Sequence, residues 1–162
     1  MALLMPQNRL IMQLALHTGL RVGDVVNLHS DQLKPRVTVK ERKTGKGKRI
    51  TIPAQLLRAI KAQAGETWAF PGRDPEKPKT RQAVWKDVKR AAAAMRLPVN
   101  VGTHTARKVY AVRKLAASGG DLAAVSRALN HSDMAVTLIY AMADHLTKQA
   151  RQGPGRRRGR PH

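Results

Sequence analysis

Two residues at helical spacing, His104 and Arg107, carry side chains that suit a common chemistry. Residues three apart on an α-helix lie on the same face about one turn apart, so both can reach one ligand. Arginine is always charged and matches phosphate geometry with its planar fork of N–H groups, and histidine adds a second donor. The pair therefore suits a phosphate group, although a solvent-exposed helix face could carry the same residues without any ligand.

Three further groups of residues frame this pair. They are Thr18-Gly19-Leu20-Arg21 far upstream, Lys43-Thr44-Gly45 between Arg21 and His104, and His131 and Tyr140 downstream. This ordered set resembles the tyrosine recombinase (phage integrase) family, whose catalytic domain carries Arg, Lys, His-x-x-Arg, His or Trp, and then Tyr. The resemblance extends from about Gln13 to Tyr140. Each motif is short, but their order and their plausible distances make the match specific.

The resemblance implies an α+β fold that is mainly helical and has a small antiparallel β-hairpin, the DNA breaking–rejoining fold of integrases. It implies a catalytic set of Arg21, Lys43, His104, Arg107, His131 and Tyr140. In that set Tyr140 attacks a DNA phosphate and forms a 3′-phosphotyrosine, while His131 holds or orients the phosphate. The chain is thus expected to be a DNA strand-transferase. The reaction requires no metal and no nucleotide cofactor, and the sequence offers no site for either.

The chemistry of the residue types fits the roles that the resemblance assigns. Arg21 and Arg107, with His104, would stabilise the negative charge that builds up on the non-bridging oxygens in the transition state. Lys43 is expected to protonate the leaving oxygen, and His104 to accept the proton of Tyr140.

The sequence departs from the family pattern in three respects. Asp24 stands three residues after Arg21, where relatives usually have a supporting glutamate, so the shorter side chain must reach further. Asn130 precedes His131 where relatives usually have glycine, and asparagine tolerates left-handed geometry. Relatives also carry a separate N-terminal DNA-binding domain, whereas some 20 residues precede Arg21 here. We therefore expect a partner that supplies this domain, or a fragment or reduced form of an integrase.

Lysine and arginine dominate the charge, with 31 against 10 acidic residues and a formal net charge of +21. Such an excess repels itself unless a polyanion neutralises it, so double-stranded DNA is the leading expected partner. An anionic membrane is the rival partner, but no apolar run approaches the roughly 18 residues needed to cross one.

Pro6 and Arg9 interrupt the apolar N-terminus, which argues against a signal peptide. With no cysteine for disulfides or thiolate metal sites, a cytoplasmic, nucleoid-associated protein is expected.

At 162 residues the chain is long enough for one domain with its own core. We assign residues 1–147 to a recombinase-like catalytic domain. Apolar residues are scarce in residues 148–162, which are rich in arginine and glycine and are assigned to a basic, disordered tail. The tail could be an electrostatic arm on DNA or only a solubilising end.

Apolar residues at helical spacing predict helices over 6–18, 21–28, 53–64, 80–95 and 122–129, and one that starts at His104. Gly19 should end the first helix, while Thr80 and Asp121 should cap two later ones. Thr103, or the residues just before it, should cap the helix of His104. Trp85 is expected to pack inward on its helix. Arg21 stands at the entrance of the second helix, where it could also be an exposed arginine whose only partner is Asp24.

Residues 36–42 and 48–53 alternate apolar and polar side chains around a glycine-rich turn, which predicts a β-hairpin. Lys43 at its tip matches the family motif, whereas for Lys46 and Lys48 we favour simple contacts with the phosphate backbone. Arg81 and Lys86, on the polar face of the helix that follows Thr80, are assigned the same DNA-binding role.

His131 and Tyr140 are nine residues apart, so one unbroken helix would place them on opposite faces, at about 100° per residue. A break at 130–133, with Ser132 or Asp133 as the next N-cap, would let them converge. The only other tyrosine, Tyr110, stands where relatives carry a buried aromatic residue and is assigned to the core.

Two other classes of protein fit the charge. A decayed integrase would bind DNA without cutting it, and a basic RNA-binding or ribosome-associated protein would need charge alone. The complete catalytic set favours the enzyme, because decay should have replaced some of its members and RNA binding has no need of Tyr140. The resemblance further implies self-association on DNA as a tetrameric synapse.

Overall fold

The computed structural model describes residues 3–129, which form six α-helices and one two-stranded sheet. The helices are α1 (Pro6–Thr18), α2 (Val22–Val26), α3 (Ala54–Lys61), α4 (Arg81–Ala94), α5 (Thr105–Ala117) and α6 (Leu122–Leu129). The strands are β1 (Arg36–Lys40) and β2 (Gly47–Thr51), and a 3₁₀ turn over Ser30–Gln32 precedes them. This is the mainly helical α+β fold that the sequence predicts.

Capping residues set the ends of three helices. Gly19 ends α1 in the left-handed conformation, with φ 67°, and its N–H donates back to the last turn. At the start of α4 the Thr80 hydroxyl accepts from the Ala83 N–H at 3.1 Å. At the start of α6 the Asp121 carboxylate accepts from the Ala124 N–H at 3.0 Å. All three predicted caps are confirmed.

The start of α5 differs from the prediction. His104 occupies the N-cap position but makes no side-chain hydrogen bond to the helix. The hydroxyl of Thr105, the first helical residue, instead accepts from the Gly102 N–H at 2.9 Å. The expected cap at Thr103 or just before it is therefore wrong, and the His104 side chain is exposed at the start of the helix.

The two strands form the predicted antiparallel hairpin. In the register Val37 lies opposite Ile50, and Val39 lies opposite Lys48. Successive side chains of a strand point to opposite faces, so Val39, Lys48 and Ile50 are buried while Thr38 is exposed. The hairpin thereby covers one side of the core.

The main core is formed by apolar residues of α1 to α4, the hairpin and the loop before α4. Fully buried members include Ile11, Leu14, Val25, Ile60 and Phe70. A smaller cluster of α5 and α6 joins Ala111, Val125 and Leu129, with Tyr110 packed against it. None of the helices within residues 3–129 has the length and the apolar character required to cross a membrane.

Trp85 does not pack inward as predicted, because 46% of its surface is exposed. The buried stripe of α4 contains Val84, Val88 and Ala91, which follow the helical repeat. Trp85 lies about 100° around the helix from Val84, which directs it to the neighbouring face. An apolar side chain is thus exposed to solvent among the basic residues of α4.

Asp87 fastens the beginning of α1 to α4. Its Oδ2 accepts hydrogen bonds at 2.8 Å from the Met5 N–H and from the Asn8 side chain, and Arg90 forms an ion pair with Oδ1 at 2.6 Å. Burial raises the pKa of Asp87, but these hydrogen bonds outweigh it and leave the pKa below its ordinary value. The carboxylate therefore stays charged and keeps the two helices together.

Candidate active site

A cavity of about 700 Å³ opens between α2, the β1–β2 turn and the starts of α4 and α5. Three of the predicted catalytic residues, Arg21, Lys43 and His104, line it. Lys79 and Arg81 add two further cations to its wall. With Arg42, the wall has five cationic side chains and one imidazole, a set that suits an anionic ligand.

Arg21 reaches this cavity from the N-cap position of α2, where its backbone is extended. Its Nη1 lies 3.1 Å from Oε2 of Glu41, and its side chain is 13% exposed. The interpretation of Arg21 as an exposed arginine paired only with Asp24 is therefore wrong. Its guanidinium is held in place and still borders the cavity.

Arg107 on α5 is 7% exposed and is not among the residues that line this cavity. Its Nη1 donates to the Gly19 carbonyl at 2.6 Å, and its Nη2 donates to the Leu129 carbonyl at 2.7 Å. Nη1 also lies 3.4 Å from Oε1 of Glu41. The guanidinium thus connects the end of α1, the hairpin and the end of α6.

Glu41, which the sequence prediction missed, is fully buried between the two arginines. The Thr44 hydroxyl donates to its Oε2 at 3.0 Å. Burial raises the pKa of Glu41, but the hydrogen bond from Thr44 and the charges of Arg21 and Arg107 outweigh it, so the pKa is lowered overall. The buried side chain is therefore a carboxylate that neutralises part of the positive charge beside it.

Lys43 is exposed in the turn between the strands and borders the cavity from that side. The turn is fastened to Glu41 by the backbone, because the Gly45 N–H donates to the Glu41 carbonyl at 2.8 Å and the Glu41 N–H donates to the Lys46 carbonyl at 2.9 Å. Lys46 is exposed on the same turn, as expected of a cation at the hairpin tip.

Lys48 lies elsewhere than expected. The sequence predicts a surface lysine at the hairpin tip, but only 7% of the Lys48 surface is exposed, so this prediction is wrong. It follows the inward alternation of Ile50 on β2, and its Nζ lies 5.2 Å from the centre of the Tyr110 ring. Burial and the neighbouring Arg107 charge lower the pKa of Lys48 from 10.5 to about 8. Lys48 is thus a buried cation beside the arginines and not a projecting contact.

The same sequence signal could have identified both buried charges. Val37 and Val39 mark the inward face of β1, and two residues further along this face comes Glu41. Ile50 and Ile52 mark the inward face of the second strand, and two residues back along it is Lys48. Reading the alternation without regard to charge would have placed both side chains inward.

Asp24 supports the hairpin. It is 4% exposed, and its Oδ1 accepts from the Arg42 N–H at 3.0 Å. This bond joins α2 to the residue directly before Lys43. The supporting role of Asp24 stays a prediction. Its observed hydrogen bond is to the backbone of the hairpin, while the ion pair with Arg21 is made by Glu41.

The imidazole of His104 faces several cations. Desolvation and the charges of Arg81, Arg107 and Arg21 all lower the pKa of His104 below its ordinary value of 6.5. The side chain is therefore neutral at neutral pH. A neutral imidazole can accept a proton, which a protonated one cannot.

A second cavity of about 610 Å³ adjoins the first and shares Arg81 and His104 with it. Trp85, Lys89 and Lys108 complete its basic wall. The Lys89 Nζ lies 5.9 Å from the centre of the Trp85 ring, within the range of a cation–π contact. Lys86 is exposed on α4 but lines neither cavity.

His131, Tyr140 and the basic tail lie outside the residues that the structure describes, so their assignments stay predictions. The Leu129 carbonyl that binds Arg107 stands two residues before His131 in the sequence. Within residues 3–129 no three His, Asp or Glu side chains are grouped so that they could share a metal ion.

The sequence of this chain matches a known family and its members. The model of the phage integrase family matches residues 4–146. The tyrosine recombinase XerD of Lacticaseibacillus casei is 32% identical over 162 aligned residues, which cover 88% of this chain and 52% of that protein. The probable integrase/recombinase YoeC of Bacillus subtilis (strain 168) is 30% identical over 141 residues, which cover 83% of this chain and 77% of that one. The chain spans about half the length of the XerD relatives it matches.

The fold also matches solved structures. The crystal structure of the XerH site-specific recombinase bound to palindromic difH substrate, a post-cleavage complex, superposes with a TM-score of 0.68. The sequence identity is 18%, and the match covers 91% of this chain and 45% of that one. A likeness at this identity establishes a common fold.

Proposed function

This chain belongs to the phage integrase family, and on that premise we propose that it breaks and rejoins DNA strands through a covalent 3′-phosphotyrosine intermediate. The observation that carries the proposal is the cluster of Arg21, Arg107 and the Lys43 turn around one buried carboxylate, Glu41. Arg21 and Lys43 of this cluster border one cavity together with His104, and such a cavity suits a phosphodiester rather than a neutral substrate.

A phosphodiester resists attack because it is already anionic. In the proposed reaction, Arg21 and Arg107 stabilise the extra charge on the non-bridging oxygens, which a guanidinium does without any proton transfer. Arg21 borders the cavity directly, so it is the arginine that first meets the phosphate. Arg107 contacts the same carboxylate as Arg21, with part of its donor capacity committed to protein carbonyls.

Tyr140 is the proposed nucleophile. Its oxygen forms a bond to phosphorus while the bond from phosphorus to the 5′ oxygen breaks, and the phosphotyrosine conserves the energy of the broken bond. His104, whose pKa is lowered by desolvation and by the cations around it, accepts the tyrosine proton. Lys43 gives a proton to the leaving 5′ oxygen, and His131 holds the phosphate. Attack of a 5′ hydroxyl from another strand then reverses the step and rejoins the DNA.

The basic surface suggests how duplex DNA lies. The second cavity continues the positive wall along α4 from Arg81 to Lys89, and Lys46 and Lys86 extend it as proposed backbone contacts. We further propose that copies assemble on DNA as a tetramer, in the cytoplasm at the nucleoid. A partner or a longer natural chain would supply the separate DNA-binding domain.

A suicide substrate with a nick near the scissile phosphate tests the proposal. The short downstream fragment, which carries the freed 5′ hydroxyl, diffuses away after cleavage, so the covalent protein–DNA adduct accumulates and is seen on a denaturing gel. We expect an adduct with the wild type, none with Tyr140→Phe, and no effect of a chelator. Tyr110→Phe is the matched control, because it removes the other tyrosine hydroxyl and should leave the adduct intact.

The rival classes predict a different result. A DNA-binding remnant or an RNA-binding protein would form no adduct with any variant. An adduct that persists in Tyr140→Phe would place the nucleophile at another residue.

A further inference from the structure

The buried carboxylate of Glu41 contacts three groups near the proposed reaction: Arg21, Arg107 and the turn that carries Lys43. One of its oxygens lies 3.1 Å from Nη1 of Arg21, and the other lies 3.4 Å from Nη1 of Arg107. The first oxygen also accepts the Thr44 hydroxyl at 3.0 Å. Thr44 directly follows Lys43, so one side chain contacts both arginines and the turn that carries the proposed proton donor.

From this geometry we propose that Glu41 is a positioning residue for DNA cleavage, which sets the separation of Arg21 and Arg107 and the position of the Lys43 turn. The inference rests on the proposed function, because the groups it positions are those of the cleavage step. Glu41 itself is fully buried and touches no substrate in this role.

Electrostatics gives the first reason why a carboxylate is needed here. Arg21 and Arg107 approach the same residue from different helices, and the buried ammonium of Lys48 lies nearby, so three like charges would repel one another in a poorly solvated place. An anion between the arginines removes much of that repulsion. It thereby allows both guanidinium groups to remain close enough for one phosphate.

Geometry gives the second reason. The backbone N–H and carbonyl of Glu41 both bind the hairpin turn, through Lys46 and Gly45. The side chain and the main chain of one residue therefore fix the turn relative to the arginines. An exposed lysine such as Lys43 depends on this fixation, because misplacement of a reacting group by about 1 Å can cost about 10²-fold in rate.

Two variants separate the two functions of the carboxylate. Glu41→Gln keeps the size of the side chain but removes its charge, and should slow single-turnover cleavage by about 10²-fold. Thr44→Val keeps the carboxylate but removes its hydrogen bond to the turn, together with the bond that the Thr44 hydroxyl accepts from the Lys46 N–H, and should slow cleavage less. DNA affinity should stay near the wild-type value in both, because 31 lysines and arginines are available to share the backbone contacts.

A substrate with sulfur in place of the scissile 5′ oxygen distinguishes positioning from a general loss of structure. A thiolate leaves without a proton, so it no longer needs Lys43. We expect this substrate to restore the Thr44→Val rate to that of the wild type and to restore Glu41→Gln only in part, because the arginines of that variant remain displaced. Glu66→Gln, which removes an acidic charge from an exposed residue, is the control for the change in net charge.

A measurement without DNA keeps this inference separate from the proposed activity. In ¹⁵N NMR spectra the guanidinium N–H signals of Arg21 and Arg107 should be resolved and slow to exchange in the wild type and in Glu66→Gln. In Glu41→Gln the Arg21 signals should exchange faster, and those of Arg107, which keeps its two carbonyl acceptors, should shift. This result in a protein that forms no adduct would support the positioning role and overturn the proposed function. Unchanged guanidinium signals in Glu41→Gln, or cleavage by Glu41→Gln at or above the wild-type rate, would overturn the inference.

Discussion

Arg21 and Arg107 carry the same charge beside the same carboxylate, but the fold depends on them to different degrees. Arg21 borders the cavity and pairs with Glu41. Arg107 makes that contact too, and it also satisfies the carbonyls of Gly19 and Leu129. A substitution of Arg107 therefore also leaves these two buried carbonyls without their donor, which a substitution of Arg21 does not.

We predict that Arg107→Ala lowers the free energy of unfolding by about 3–5 kcal/mol, the usual cost of removing one partner from a buried charged network. Arg21→Ala should destabilise the protein less and yet reduce cleavage by about 10²–10³-fold, as expected for the loss of one transition-state donor. Urea unfolding and adduct formation measure the two effects. Equal losses of stability in the two variants would contradict this division of roles.

Lys48 is expected to make stability depend on pH. Its pKa is lowered from 10.5 to about 8 in the folded protein. Between these values the unfolded chain binds more protons than the folded one, so the Lys48 contribution makes folding more favourable as pH rises. Below pH 8 both states are charged, and the folded state bears the full cost of about 3 kcal/mol.

We predict that Lys48→Met is more stable than the wild type at pH 7, by up to about 3 kcal/mol, and that the difference shrinks towards pH 10. Urea unfolding of both proteins at each pH measures it. Lys46→Met is the control, because Lys46 is exposed on the neighbouring turn and its removal should give no pH-dependent difference. A difference that stays constant from pH 7 to pH 10 would contradict the buried cation.

Candidate site residues can be recognised from the sequence where their motifs are local. The Thr-Gly that follows Lys43 marks this lysine, and the spacing of three residues to Arg107 marks His104. Both Lys43 and His104 border the cavity. Glu41 and Lys48 belong to no motif. Their importance comes from the side of the hairpin on which they lie and from partners up to 66 residues away in the chain.

Among the elements, α1 and α5 meet closely at Gly19. This glycine has φ 67°, and a Cβ atom built on it would lie 2.4 Å from Cδ1 of Tyr110. Both the backbone conformation and the neighbouring ring therefore require glycine. The Gly19 carbonyl also accepts from Arg107, so this contact positions part of the site.

Gly45 offers a matched comparison, since it has the same φ of 67° but no atom within 4 Å of its added Cβ. We predict that Gly45→Ala costs about 1 kcal/mol for backbone strain alone, and that Gly19→Ala costs about 3 kcal/mol or more because the ring must also move. Thermal or urea unfolding measures both. The second substitution Tyr110→Ala should reduce the penalty of Gly19→Ala, and equal penalties for the two glycines would refute the steric explanation.

The helix boundaries were predictable where a capping residue meets an apolar repeat, as at Gly19, Thr80 and Asp121. Trp85 was assigned to the core on its size and apolar character, while the 84–88–91 stripe already filled the inward face of α4. Hydrophobicity alone does not decide burial on an amphipathic helix, because angular position does.

For the whole molecule, the net charge of +21 and the continuous basic wall from Arg21 to Lys89 favour binding through phosphates. Contacts of this kind carry no sequence information directly. We therefore predict little preference between two unrelated duplexes. With roughly six phosphates contacted, affinity should fall about 10³-fold as salt rises from about 50 to 200 mM.

A titration of both duplexes over a salt series measures this prediction, and fluorescence anisotropy is a suitable signal. Tight, salt-resistant binding to one duplex alone would mean that this chain reads bases by itself.

The assignment of residues 1–147 to one catalytic domain and of 148–162 to a tail stays a prediction, because their boundary lies outside residues 3–129. The sequence could not show the cavities, which depend on how α2, the hairpin, α4 and α5 are placed together.

The hydrogen bonds of Arg107 to the Gly19 and Leu129 carbonyls have a consequence for how genes that encode this protein would lose activity during evolution. A copy selected only for folding and DNA binding would remain under purifying selection at Arg107, because that side chain ties the end of α1 to Leu129. Lys43, exposed in its turn, is under no such constraint from the core, so genetic drift can replace it first. An inactive descendant would therefore be recognised by loss of the lysine in the turn, long before the buried arginine disappears.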